Sequence, residues 1–277
     1  MDYIEVEIKV QPRQPGSDLL VSQLADVGFE SFQETKEGFF AWIPENLFHE
    51  EEMRKVLLVG GHMAEVTYEK RLIPSQNWNE EWEKNFTPVY IGKELIIRAP
   101  FHPAESGFKR EIVIQPQQSF GTGHHQTTRL MVQKLLTLPL AGRYILDMGC
   151  GTGILGILCS KLGAENVLGI DIDANAVENA RENAVLNNVK NMKVKTGDQH
   201  SEINEKFDVV LANINRNILL DSMKKYSGVL KENGSLLLSG FFRQDVKELA
   251  ACAKENGLES KETLEEEEWA LIHLVKK

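Results

Sequence analysis

The chain has 277 residues, 42% of them hydrophobic and 26% charged, with a formal net charge of −10 at pH 7. That length allows two domains, while the acidic balance removes the general basic footprint of a nucleic-acid binder. No apolar run approaches the roughly 20 residues of a membrane span. Met1-Asp2-Tyr3-Ile4-Glu5 does not read as a signal peptide. Cys150, Cys159 and Cys252 are too scattered for a disulfide framework or a metal site, which suits a reducing cytoplasm.

From the start, Tyr3 to Val10 alternates apolar and charged residues, as a half-buried strand does. Leu19, Leu20, Leu24 and Val27 recur at helical spacing up to Gly28. Two aromatic-rich strands are expected over Phe29 to Glu34 and Gly38 to Ile43, then a helix over Glu45 to Leu58 closed by Gly60-Gly61. Alternation returns over Ala64 to Leu72. Strand–helix–strand–strand–helix–strand is the ferredoxin-like order, and residues 1–73 are read as one small domain. It carries no catalytic constellation, which leaves packing, oligomerisation or substrate docking as its roles.

Residues 74–87 read as a linker helix whose Trp78, Trp82 and Phe86 share one face, more simply as packing than as substrate stacking. Residues 88–277 form the second domain. Val89 to Ala99 and Glu111 to Gln115 give a small lead-in sheet, and a glycine-rich loop, Ser119-Phe120-Gly121-Thr122-Gly123-His124-His125-Gln126-Thr127-Thr128, precedes a helix over Arg129 to Leu136. Thr127 or Thr128 can cap that helix. The two histidines point apart and have no further ligands spaced nearby, so no metal is expected.

Tyr144 to Asp147 is an apolar strand ending in a carboxylate, followed by Gly149, Gly151 and Gly153 and a helical stretch from Ile154 to Leu162. This is the first strand–turn–helix of a doubly wound sheet, where ligands bind at the carboxyl ends of the strands. Val167 to Asp171 is a second strand ending in an acid, and a carboxylate there accepts from both hydroxyls of a ribose. Helix Asp173 to Asn187, strands Met192 to Thr196, Phe207 to Asn213 and Ser235 to Gly240, helix Asp245 to Glu255 and a last strand from Trp269 to Val275 complete the alternation. The acidic run Glu265 to Glu268 reads as a solvated turn.

The ligand is therefore a nucleoside cofactor. Gly151 to Gly156 matches the dinucleotide fingerprint with Asp171 about 20 residues on. However, the match starts late in the turn, and Asp147 would face a pyrophosphate at short range. A sulfonium with a free amino group suits that carboxylate better. The pattern Asp147-x-Gly149-x-Gly151-x-Gly153, then Asp171, resembles the first two motifs of class I S-adenosylmethionine-dependent methyltransferases. A non-catalytic protein of the same fold is disfavoured by the intact glycines, both acids and Asn213. Enzymes that methylate planar amides or nucleobase amines carry Asn-Pro-Pro-aromatic at the position of Asn213, whereas Ile214 follows it here.

Together with the FGTGHHQTT loop, DMGCGTG, GIDID and LANI, the two-domain order resembles the ribosomal protein L11 methyltransferase family (PrmA) over nearly the whole chain. The resemblance implies an α/β fold: a doubly wound, Rossmann-like methyltransferase sheet behind a small α+β ferredoxin-like substrate-recognition domain. It implies S-adenosylmethionine as cofactor and methylation of lysine side chains and the N-terminal α-amine of a basic ribosomal protein. The enzyme is expected to be a cytoplasmic monomer with no direct nucleic-acid or membrane partner. Phe120, Gly121 and Thr128 from the loop, Asp147, Gly149, Gly151 and Gly153 from the turn, and Asp171 are expected at the cofactor. Asn213 is expected beside both the cofactor and the acceptor amine, and no general base declares itself. Gln126 departs from the family, which has Pro after its loop histidine. A methylase of another acceptor, such as a release-factor glutamine, an RNA base or a small molecule, is the alternative.

Overall fold

The computed structural model describes residues 2–60, 65–73, 86–117, 119–198 and 201–277. The chain divides into two compact units, residues 1–85 and 86–277. In the first unit, β1 (Tyr3–Gln11), α1 (Arg13–Asp26), β2 (Ser31–Glu34), β3 (Gly38–Pro44), α2 (Glu50–Gly60) and β4 (Glu65–Ile73) follow the expected order. The four strands form an antiparallel sheet ordered β2-β3-β1-β4. Alternation on β1 sends Val6 and Ile8 inward against Leu20 and Leu24 of α1 and Met53 and Leu57 of α2. Glu5, Glu7 and Lys9 fall on the other face. The helix read from Glu45 is split: Glu45–Leu47 is a short 3-10 turn, Phe48 is extended and packs against the core, and α2 starts at Glu50. Of the linker stripe, Trp78 and Trp82 lie outside the described residues. Phe86 packs edge-on to Phe101 at 6.1 Å and His124 at 4.5 Å.

The second unit begins with a small sheet, β5 (Val89–Ile91), β6 (Leu95–Arg98) and β7 (Arg110–Val113). After α3 (Gln126–Leu135) come β8 (Tyr144–Met148), α4 (Ile154–Lys161), β9 (Asn166–Asp171), α5 (Ala174–Leu186), β10 (Met192–Thr196) and β11 (Phe207–Asn213). Next are α6 (Arg216–Val229), β12 (Leu230–Phe242), α7 (Val246–Glu255), β13 (Leu258–Glu266) and β14 (Trp269–Lys276). The seven-stranded sheet runs β10-β9-β8-β11-β12-β14-β13. It is parallel except for β14, which runs antiparallel to both of its neighbours, β12 and β13. Helices cover both faces, so β8 and β11 are apolar on both sides, as parallel strands require. Ile145 and Leu211 pack with α3 and α4, whereas Leu146 and Val210 pack with α6 and α7.

The outer edge of β7 meets side chains of α5 instead of another strand. Asn187 accepts from the Val113 amide at 2.9 Å and donates to the Val113 carbonyl at 2.6 Å. Asn183 accepts from the Gln115 amide at 2.8 Å, and Asn179 donates to the Gln115 carbonyl at 3.2 Å.

The acidic run is a correction. Glu265 and Glu266 belong to β13, and only Glu267 and Glu268 form the turn. Three of these acids are anchored: Glu266 to Arg129 at 2.8 Å, Glu267 to Gln126 at 2.6 Å and Glu268 to Arg243 at 3.1 Å. Gln126, which departs from the family pattern, thus ties the first residue of α3 to the β13–β14 turn.

Candidate active site

A cavity of about 470 Å³ opens at the carboxyl ends of the parallel strands, lined among others by Phe120, Gly149, Gly151, Asp171 and Asn213. That volume lies in the range of small-molecule sites. The glycines are there because the backbone allows nothing else. Gly151 has φ +53°, and a Cβ on it would sit 2.2 Å from the carbonyl oxygen of Phe120. Gly149 has φ +68°, and its Cβ would sit 2.4 Å from Ile214 Cγ2. Tight contact on one side leaves bare main chain on the other, where a ligand can lie close. The loop is stitched to the turn: Thr152 donates from its amide to the Phe120 carbonyl at 3.0 Å and from Oγ1 to the Gly121 carbonyl at 2.5 Å.

Asp171 is held by two backbone donors, Gly151 N at 2.8 Å and Asp173 N at 3.0 Å, one to each carboxylate oxygen. Each oxygen keeps a lone pair for a further donor. At the end of β11, Asn213 Oδ1 is buried and has no hydrogen-bond partner among the described residues. A buried unpaired acceptor costs about 1–3 kcal/mol, and the residue that carries it lines the cavity.

Other expected site residues are placed differently. Asp147 is only 1% exposed and does not line the cavity. Its carboxylate sits under α4 and accepts from Gly156 N at 3.0 Å, capping the helix from within the sheet. Burial drives its pKa up to about 7, opposed by the Gly156 hydrogen bond and reinforced by Asp171. An unfolded aspartate titrates near 3.8. Between these values the folded chain holds a proton that the unfolded chain has released, so stability falls as pH rises through this window. Asp147→Asn keeps an acceptor for Gly156 and removes the charge. In urea denaturation without cofactor, its stability relative to wild type should grow from pH 4 to 7 by roughly 1 kcal/mol per unit, then level off. A gap independent of pH would mean the carboxylate is ionised throughout.

Thr128 is the second correction. Its hydroxyl is fully buried and lacks a partner among the described residues, and the residue does not line the cavity. Nor does a threonine cap the helix. The His125 side chain accepts from Thr127 N and starts α3 at Gln126, which puts Thr128 one turn in and pointed into the protein. Thr127 lines the cavity in its place. Burial, and then the Arg129 charge, hold His125 below its usual pKa. His124 fastens the loop through Nε2 to the Thr87 carbonyl at 2.8 Å. Gly121, at φ +104°, and Gly153, at φ +79°, shape loop and turn and do not line the cavity.

Sequence reading missed two groups. Asp198 lines the cavity just beyond β10, and an acid following a third strand was the available signal. Of an aromatic wall only Phe120 was expected at the site: it lies 5.3 Å from His125, His125 4.7 Å from Trp269, and Trp269 4.4 Å from Phe242. Trp269 reaches the carboxyl edge because β14 runs antiparallel, which brings its first residue beside the last of β12.

A parallel-rich sheet extended by an antiparallel pair, with a glycine turn after the first strand and an acid on the second, defines a class I S-adenosylmethionine-dependent methyltransferase. The sequence pattern of the family described as Ribosomal protein L11 methyltransferase (PrmA) matches residues 26–277. A ribosomal protein L11 methyltransferase of Porphyromonas gingivalis is 44% identical over 260 residues, 92% of this chain and 89% of that protein. One from Phocaeicola vulgatus is 39% identical over 281 residues, spanning the full length of both. A crystal structure of ribosomal protein L11 methylase from Lactobacillus delbrueckii subsp. bulgaricus superimposes with a TM-score of 0.64 at 27% identity, covering 69% of this chain and all of that one. The chain belongs to the ribosomal protein L11 methyltransferase family.

Proposed function

We propose that this chain methylates amino groups of ribosomal protein L11, lysine side chains and the N-terminal α-amine, using S-adenosylmethionine. The observation that carries the reading is Asn213, which ends β11 on the wall of the glycine-turn cavity and whose buried Oδ1 has no partner among the described residues. The residues fit the cofactor: Asp171 keeps acceptor sites for a ribose diol, and Gly149 and Gly151 expose main chain to it. When bound, the cofactor supplies an electrophilic methyl group on a sulfonium. An amine must meet it unprotonated, yet a free lysine has a pKa near 10.4. The apolar walls of Phe120, Ile214 and Trp269 disfavour the ammonium form by desolvation, and Asn213 Oδ1 accepts from the remaining N–H and orients the lone pair. Solvent takes the proton in this reading.

In this reading residues 1–73 recognise the substrate and residues 88–277 carry the chemistry. No helix among the described residues is long and apolar enough to cross a membrane. The enzyme meets its substrate in the cytoplasm as a monomer.

Incubating the full chain with S-adenosylmethionine and L11, followed by peptide mass spectrometry, tests the proposal. Methyl groups are expected on lysines and the N-terminus. Unmodified L11 beside a methylated glutamine, RNA base or small molecule would reject it. At the cofactor, Asp171→Ala strands the ribose hydroxyls and frees two amides of the turn. Affinity for S-adenosylhomocysteine by calorimetry should fall by about 2–4 kcal/mol. A loss under twofold would place the ribose elsewhere.

A further inference from the structure

The face of the N-terminal sheet turned away from α1 and α2 is ordered in rows across β3, β1 and β4. One row is Trp42–Glu5–Arg71, the next Phe40–Glu7–Glu69 and the third Gly38–Lys9–Thr67. Charge is settled in the outer two. Glu5 is buried, accepts from Trp42 Nε1 at 3.0 Å and pairs with Arg71 at 2.5 Å, while Lys9 pairs with Glu37 at 3.2 Å. The middle row is not settled. Glu7 and Glu69 stand directly opposite each other on neighbouring strands, and no ion pair among the described residues includes either. Like charges so placed destabilise a sheet. Beside them Phe40 and Trp42, both half-buried, lie 5.9 Å apart with their rings tilted by 35°.

Lys9 in the next row attracts both acids and Arg71 attracts Glu7, but neither closes on them as an ion pair. Two carboxylates without a close cation among the described residues, next to an aromatic pair, match one kind of side chain. A lysine or arginine lays its stem on the rings and its charge against the acids. We propose that this face docks a cationic segment of the protein substrate, with Glu7 and Glu69 receiving a lysine or arginine and Phe40–Trp42 serving as its shelf. The proposal rests on the reading that the substrate is a basic ribosomal protein, and it names the surface by which the N-terminal domain holds it. The cross-strand repulsion is then a cost carried by the free enzyme and relieved on binding.

The test uses the full chain and the double variant Glu7→Gln/Glu69→Gln, with Glu69→Gln alone as a milder change. Removing the repulsion should raise Tm, whereas acids serving the fold would lower it. Affinity for L11, measured by calorimetry at low salt, should weaken by roughly 5- to 50-fold for the double variant, as expected for loss of a charge-paired contact. Its salt dependence should flatten, and affinity for S-adenosylhomocysteine should stay unchanged. A raised Tm with L11 affinity within twofold of wild type overturns the proposal. So does a change confined to self-association in sedimentation, which would assign the face to a second copy of the chain. Wild-type enzyme that fails to methylate L11 overturns the underlying function and this proposal with it, and that assay is read before any variant is made.

Discussion

Replacing Asn213 with alanine is expected to lower kcat by about 10- to 1,000-fold, or 1.4 to 4 kcal/mol of transition-state stabilisation, with cofactor affinity little changed. The position is rigid. β11 is buried along most of its length and pairs on one side with β8 and on the other with β12, where Asn213 is opposite Ser239. Gly240 follows with φ +92°, and its Cβ would meet the Ile214 backbone at 2.4 Å, so the chain after Asn213 cannot drift. An amide fixed in this way orients an incoming nitrogen without reorganising during the reaction. A contact of that type counts mainly in the transition state. Steady-state kinetics and calorimetry on the same variant decide the matter. A large loss of cofactor affinity with kcat preserved would move Asn213 from the acceptor to the cofactor.

The second large effect is expected at Gly151. Alanine there must adopt φ +53° and put its Cβ 2.2 Å from the carbonyl oxygen of Phe120. Neither partner is a flexible side-chain end, so backbone has to move. The left-handed conformation alone costs about 1–2 kcal/mol, and the contact pushes the turn away from the loop that Thr152 holds against it. A total of roughly 2–4 kcal/mol is expected in urea denaturation, together with at least a tenfold loss in S-adenosylhomocysteine binding. An unchanged denaturation midpoint with affinity within threefold would show that loop and turn are not coupled through Gly151.

The centre of the site was legible because backbone constraint is written in residue type. Gly149, Gly151 and the acid of Asp171 mark a strand–turn–helix and a second strand, and the cavity lies there. What side chains do within that frame was less legible. Asp147 was read as facing the ligand, but the strand turns it under α4, where Gly156 claims it. A histidine at the helix N-terminus gave no capping signal, so α3 was started three residues late and Thr128 was aimed at the cofactor. Two elements went unread for different reasons. α6 passes directly into β12 at Leu230, and Gly228 lies inside its last turn instead of after it. β13 is an edge strand with Leu258 and Leu264 as its only apolar residues, and its pairing is made by backbone that a charged sequence hides.

The asparagines of α5 do more than fill hydrogen bonds. One helical step of four residues rises about 6 Å, and two residues of strand span about 6.6 Å, so Asn183 and Asn187 fall in step with Gln115 and Val113. A slip of β7 by one residue would offer Asn183 and Asn187 the same backbone groups from neighbouring residues, but it would turn Ile112 and Ile114 out of the core. The helix therefore covers a strand about seventy residues earlier in the chain, whose register the two buried isoleucines set. It also leaves no open edge at these positions for another chain to extend. Asparagine is a weak helix former, yet Asn179 and Asn183 within α5 and Asn187 at its C-cap stand where they close this edge.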